Sequence, residues 1–399
     1  MSDEASDVLS VSIGDVLVGR LIRTNEGATF TLDDDYRRQP SRPVLGQVFE
    51  DDPAAKHWAR QGVPPWFANL LPEGPLRTLI AERAGVHPSR GLFLLELMGL
   101  DLPGAVVIHR EGEAPDGNPD DADETEDVDE QPLKFSLAGV QLKFSALRDE
   151  RGLTVPAQGR GGDWIVKLPD QRYDGVPENE YTVMRWAGRA GIDVPDVALV
   201  EVSEIDGLPT EIRAAGGIAF AIRRFDREPG RRVHIEDFAQ VLNLKPNQKY
   251  GNATYETIAR VLAAVAPDDV DELIRRLVFQ VLAGNGDAHA KNWSLIYRTG
   301  AHARLAPAYD LMSTVPYIRN DALGLTLGKV KAFEKITLDV FQRFADRAGL
   351  DADHVATVVS GQVAATHEAW GAVRTDFRAR DHVRQDIERR LAALPLATA

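Results

Sequence analysis

The sequence predicts an α+β protein in which a small N-terminal α/β unit precedes a two-lobed body whose second lobe is largely helical. Three observations predict it. Short strand-like runs and helical periodicities share residues 8 to 99. An acidic run from Glu111 to Glu130, with Pro and Gly but no Lys or Arg, then separates that unit from the rest; it cannot bury enough apolar area to offset its ordering entropy and reads as a disordered linker. Beyond it, residues 131 to 225 alternate strands with one helix, and from residue 226 apolar positions recur mainly at helical spacing. The predicted units are therefore 1–110, 111–130, 131–225 and 226–399.

Each element follows in order. Val8 to Arg23 carries strand-forming residues with glycines at Gly14 and Gly19, Asn25-Glu26-Gly27 is a turn, and Thr29 to Leu32 is another strand. Helices are expected over Pro65 to Ala84 and Ser89 to Gly99. In the third unit the apolar strand Trp164 to Leu168 carries Lys167, an ammonium that wants an anionic partner there, and Glu180 opens the next helix. Gly159, Gly161 and Gly162 before that strand read as a turn. In the last unit Asp268 can cap a helix in which Val270, Leu273, Ile274, Leu277, Val278, Val281 and Leu282 recur at helical spacing, with Gly284 at its end. Trp293 to Tyr297 reads as a strand, Gly300 as a hairpin turn, and the return strand is expected to end at Tyr309-Asp310.

The chemistry concentrates in Asn285-Gly286-Asp287-Ala288-His289-Ala290-Lys291-Asn292 and in Tyr309-Asp310. An aspartate, an asparagine five positions on, and a second aspartate in a separate loop is the spacing of the base and metal ligands in a phosphotransferase. Phosphoryl transfer requires charge neutralisation and alignment. Asp287 is the expected base, and Asn292 and Asp310 supply oxygens of the kind magnesium prefers. His289 orients the loop by hydrogen bonding, and Lys291 completes the candidate catalytic set. Upstream, small residues at Ala138 and Gly139 would let backbone amides approach an anion, with Lys143 adding charge.

The whole pattern resembles the HipA family of bacterial toxin–antitoxin serine/threonine kinases. Four blocks carry the resemblance beside the two catalytic ones: Phe135 to Lys143, Trp164 to Pro169, Glu178-Asn179-Glu180-Tyr181 with its helix, and Ile222 to Arg227. Phe67 to Glu73 resembles the family's N-terminal subdomain, in which the sequence alone shows no catalytic group. The resemblance implies a protein-kinase-like, HipA-type fold for the two lobes, with ATP and Mg2+ as cofactors. It implies nucleotide contacts from Ala138, Gly139, Val140, Gln141, Leu142, Lys143, Lys167, Arg223, Arg224, Phe225, His289, Tyr309 and Asp310. Arg223 stands where the family commonly has an acidic residue. Ser136 matches the family's autophosphorylation site. A HipB-like helix-turn-helix antitoxin is the implied partner, and a translation-related protein such as an aminoacyl-tRNA synthetase the implied substrate. A kinase-fold scaffold for the antitoxin and a small-molecule kinase are the competing readings.

Composition bounds these expectations. A net charge of −15 and a pI near 5.1 oppose unaided nucleic-acid binding, so DNA is expected only through an antitoxin. The C-terminal arginines from Arg374 to Arg390 alternate with acidic residues and read as a solvated helix face. The chain contains no cysteine, which excludes disulfides and thiolate metal sites and suits a reducing cytoplasm. Glu96 and Asp101 interrupt the apolar stretch from Leu92 to Ile108, so no membrane span is expected.

Overall fold

The computed structural model describes residues 8–112, 142–149, 152–155, 161–170 and 172–398. Most of the acidic run, together with Ser136, Ala138, Gly139, Val140 and Gln141, lies outside the described residues. The N-terminal unit is an antiparallel sheet of β1 (Val8–Ile13), β2 (Val16–Arg23), β3 (Ala28–Leu32), β4 (His57–Ala59) and β5 (Val106–Arg110), in the order β4-β3-β2-β1-β5. Gly14, at φ +54°, makes the hairpin between β1 and β2, a conformation that costs glycine little. Helices α1 (Asp34–Arg38), α2 (Gln47–Asp51), α3 (Pro65–Ala68), α4 (Gly74–Arg83) and α5 (Gly91–Met98) accompany the sheet.

The helix expected over residues 65 to 84 is two helices. Pro72 lacks an amide donor and disfavours helical geometry at Leu71, so the chain leaves the helix after Ala68 and re-enters it at Gly74. That interruption places Asn69 and Glu73 on a loop facing the rest of the protein.

The next lobe holds β6 (Lys143–Asp149), β7 (Gly152–Thr154), β8 (Trp164–Lys167), α6 (Val176–Arg189), β9 (Val197–Glu201), β10 (Ile205–Asp206), α7 (Thr210–Ala215) and β11 (Ile218–Arg223). Its sheet runs β10-β7-β6-β8-β11-β9, and Lys143 and Lys167 are register partners on adjacent strands. The final lobe comprises β12 (Arg227–Glu228), β13 (Arg231–Arg232), β14 (His234–Asp237), α8 (Phe238–Val241), α9 (Tyr255–Val265), α10 (Val270–Ala283), β15 (Ser294–Thr299), β16 (His302–Leu305), α11 (Leu338–Ala348), α12 (Ala352–Val373) and α13 (Asp381–Ala393).

Helix α10 is the rigid support of the site. Leu273, Ile274, Leu277, Val278, Val281 and Leu282 are all completely buried, packed into one core with α6, α9, α11 and α12. Its N-cap is Asp269 rather than Asp268, because a 3-10 turn over Pro267–Asp269 precedes it; the Asp269 carboxylate instead binds Arg304 and the Leu305 amide. Gly284 ends the helix in the left-handed conformation at φ +72°. The strand β16 stops at Leu305, short of Tyr309-Asp310: Pro307 has no amide to donate to a ladder, and the chain continues as an extended loop.

Buried polar contacts fasten the N-terminal unit to the lobes. Glu236 on β14 accepts from the Gln47 amide (3.0 Å), Trp66 Nε1 (3.3 Å) and the Tyr297 hydroxyl (2.5 Å). Asp226 accepts from Arg224, Arg227 and the Gly104 amide, and Arg232 donates to the carbonyls of Leu100, Leu102 and Gly104.

Candidate active site

The loop leaving α10 is held from several sides before any substrate enters. Asn285, almost fully buried, accepts from the Asp287 amide at 3.0 Å through Oδ1 and donates to the Asp310 carbonyl at 3.3 Å through Nδ2. One amide side chain thus links the two acidic loops. Asn292 Nδ2 donates to the Asp287 carbonyl at 2.7 Å, the Tyr255 hydroxyl donates to the Ala288 carbonyl, and the Tyr309 hydroxyl donates to the Lys291 carbonyl. Gly324 lies so close to Ala288 and His289 that a Cβ there would fall within 3.0 Å of their backbone atoms.

Opposite this loop, Lys167 is the charged centre. Its ammonium donates to Glu180 Oε1 at 2.6 Å and to Asp310 Oδ1. Burial pushes the Glu180 carboxyl up to about 7 against the pull of Lys167. Burial would also raise Asp310, but Lys167 and Lys143 outweigh it and hold that carboxyl at about 2. Lys167, largely buried and facing both carboxylates, is held in its charged form by Asp310 and Glu180 against the cost of burial. Asp310 also adopts the left-handed backbone conformation, φ +54°, which is uncommon outside glycine but tolerated by Asp and Asn. The following loop is locked by Asn179, whose side chain both accepts from the Ser313 amide and donates to the Ser313 carbonyl.

The donor set fits magnesium. Asp310 Oδ1 faces Lys167, and among the described residues its Oδ2 has no hydrogen-bond partner; Asn292 commits only its Nδ2. An anionic and a neutral oxygen suit a cation that takes its other ligands from phosphates and water. Among the described residues no three His, Asp or Glu side chains gather to form a metal cage of their own.

A model of the HipA-like C-terminal domain matches residues 135–370, and one of the HipA N-terminal domain matches residues 9–109. The chain belongs to the HipA family. Y4dM of Sinorhizobium fredii is 44% identical over 380 residues, spanning 93% of each chain. The serine/threonine-protein kinase toxin HipA of Shewanella oneidensis is 25% identical over 355 residues, spanning 79% of this chain and 77% of its own. A solved structure of Shewanella oneidensis HipA, with HipB and its operator DNA, covers 98% of this chain and 96% of its own with a TM-score of 0.72 at 21% identity, which shows a shared fold.

Within this HipA-family site the expected residues divide. Asp287, His289, Asn292, Tyr309, Asp310 and Lys167 are brought together through the contacts above and the 3.9 Å approach of His289 to Asp287. His289 is buried, but Nε2 lies 3.9 Å from Asp287 Oδ1, beyond hydrogen-bond distance, and Nδ1 has no partner among the described residues, so the expected hydrogen bond from its ring is not formed; burial lowers its basicity. Phe225 packs against the Tyr309 ring at 5.5 Å, and Leu142 is buried beside the strand carrying exposed Lys143.

Two residues depart from their expected places, and a third faces solvent. Lys291 turns away from the cleft and donates to Glu73 Oε1 at 2.7 Å and the Asn69 carbonyl at 3.1 Å. Arg224 is buried, paired with Asp226 at 2.9 Å and contacting Ser145, so its guanidinium belongs to the interdomain network and not to the nucleotide cleft. Arg223 is exposed, its guanidinium 3.7 Å from Asp196. The N-terminal unit, in which the sequence showed no catalytic group, supplies Glu73, which binds both Lys291 and Lys249. Glu73, Asn285 and Tyr250 went unassigned from sequence; for Asn285 the available signal was its position beside Asp287, while the other two approach from distant segments.

Proposed function

We propose that the chain is an ATP-dependent serine/threonine protein kinase, the toxin of a toxin–antitoxin pair. The observation that carries this reading is the Lys167 ammonium placed between Glu180 and Asp310, across from a loop that presents Asp287 and Asn292. Lys167 and the segment that ends at Lys143 would bind the ATP phosphates; Asp310 and Asn292 would hold Mg2+, which supplies charge neutralisation on the phosphates when bound. Asp287 would accept the proton of the substrate hydroxyl as its oxygen bonds to the γ-phosphorus and ADP departs. A scaffold would have no need of this complete set of charged groups.

The partner we propose is a HipB-like helix-turn-helix antitoxin, through which DNA would be reached, and the substrate class is a translation-related protein such as an aminoacyl-tRNA synthetase. Ser136 is the proposed autophosphorylation site. A phosphate there adds roughly −1.5 to −2 charges beside the segment that must receive ATP. The absence, among the described residues, of any helix long and apolar enough to cross a membrane is compatible with action in the cytoplasm.

The test is to incubate the purified protein with labelled ATP, magnesium and a cell lysate, then to identify labelled proteins by mass spectrometry, Ser136 included. Asp287→Asn and Asp310→Asn should abolish labelling while leaving the fold intact. Undiminished labelling by either variant overturns the assigned roles.

A further inference from the structure

Tyr250 approaches the catalytic loop from the turn that precedes α9, and its hydroxyl donates a hydrogen bond to Asp287 Oδ1. Among the described residues it is the hydrogen-bond donor to that carboxylate. The contact is built into the fold. The Ala290 amide donates to the Lys249 carbonyl at 3.2 Å, tying the turn to the catalytic loop, and the Tyr250 ring stands edge-on to His289 at 4.8 Å and 84°. Lys249 itself is anchored by Glu73 at 2.9 Å.

A hydroxyl donating to the proposed base is in the position that a substrate serine or threonine must take. The acceptor's oxygen attacks the γ-phosphorus only after its O–H is directed at Asp287. From these contacts we infer that Tyr250 is an acceptor-site residue: its hydroxyl holds the acceptor's place on Asp287 Oδ1, keeps water from that one oxygen of a carboxylate whose side chain is otherwise half exposed, and yields to a protein hydroxyl that docks there. This inference rests on the kinase reading above.

Two features make the exchange feasible. Tyr250 is 44% exposed, so a rotation of its side chain can carry it into solvent without opening the core. Burial and the neighbouring Asp287 carboxylate raise its phenol above its ordinary range, so it remains a hydrogen-bond donor at neutral pH and does not compete as a base. When an acceptor displaces it, the new O–P bond forms, the bond to ADP breaks, and the hydroxyl proton passes to Asp287. When water takes the place instead, the same sequence releases inorganic phosphate.

The experiment compares wild type, Tyr250→Phe and Tyr250→Phe/Asp287→Asn as full-length proteins with ATP and magnesium. Phosphate release is measured without acceptor, and KM values are measured for ATP and for a lysate protein that the wild type labels. Tyr250→Phe keeps the ring on His289 and removes only the hydroxyl. Losing a hydrogen bond to a carboxylate corresponds to about a tenfold effect, reduced where water substitutes. Phosphate release should therefore rise about three- to tenfold in Tyr250→Phe, return to background in the double variant, and be accompanied by a lower acceptor KM. A purely structural role would move the ATP KM as well. If wild type labels lysate proteins but Tyr250→Phe neither speeds phosphate release nor lowers the acceptor KM, the inference is overturned while the kinase reading stands. If wild type labels nothing and no variant hydrolyses ATP, the kinase reading fails and takes this inference with it.

Discussion

Replacing Asp226 by asparagine should loosen the N-terminal unit from the two lobes that follow it more than any exposed charge change among the described residues. Its carboxylate accepts from Arg224 Nε and Nη2 at 2.9 Å each, from Arg227 Nη1 at 2.8 Å and from the Gly104 amide at 2.8 Å, in surroundings that leave its side chain 7% exposed. Asparagine keeps the volume but turns an NH2 group toward donors, and leaves two buried guanidiniums facing Asp101 alone. Breaking a buried ion pair from one side costs about 3–5 kcal/mol. That range is roughly two to nearly four powers of ten in the population with the interface open. Native-state hydrogen exchange at the amides of β1, β2, β3 and β5 would report it. Asp376→Asn, which removes an exposed partner of Arg185 and Arg378, is the control and should change exchange little. An acceleration below about tenfold in Asp226→Asn would refute the argument. Burial alone would raise the Asp226 carboxyl, but Arg224 and Arg227 hold it far below the usual range. Its stabilisation is therefore complete above the unfolded-state pKa of about 3.9 and is lost as pH falls toward the depressed folded value.

Glu236 has the opposite sign. Burial pushes its carboxyl up to about 7 despite three donors, so its contribution to stability declines as pH rises from about 4.3 through that value. Relative to Glu236→Gln, wild type should lose urea resistance between pH 5 and pH 8; parallel profiles would show that Glu236 does not titrate there. Gly324→Ala places a Cβ 2.8–3.0 Å from backbone atoms of Ala288 and His289, which cannot swing aside. Displacing the catalytic loop by even an ångström should lower kcat about a hundredfold with the circular dichroism spectrum retained, and an unchanged kcat would count against the rigidity of this contact. Glu73→Gln removes the charge that holds Lys249 and Lys291 at 2.9 and 2.7 Å. A fall in kcat of about tenfold, with little change in KM for ATP, is expected if this clamp positions the loop; equal kcat values would reduce it to a structural contact.

What could be read from the chain, and what could not, separates by the distance over which each signal acts. Helix α10 was legible because seven apolar residues, Val270 to Leu282, repeat at helical spacing and Gly284 permits a left-handed ending, both properties of a single segment. Its cap was misplaced by one residue because Asp268 and Asp269 are chemically alike, and only the 3-10 turn distinguishes them. The interruption between α3 and α4 was also local: Pro72 marks it, but the apolar periodicity on either side reads through. Asp287, Asn292 and Asp310 stand out in the sequence by their spacing, and the Asn285 side chain links the two loops that carry them. Arg224 shows the limit of that reasoning. Beside a strand next to the cleft it has the charge a nucleotide wants, yet the side chain turns inward because Asp226 and Asp101 compete for it at close range in a dry interface. Lys291 behaves likewise: within the catalytic block its sequence context suggests chemistry, while Glu73, 218 positions away, determines where its ammonium goes. Contacts of that separation leave no periodicity and no local composition to read. The N-terminal unit therefore looked chemically silent, although its Glu73 binds both the catalytic loop and the turn that carries Tyr250 to Asp287.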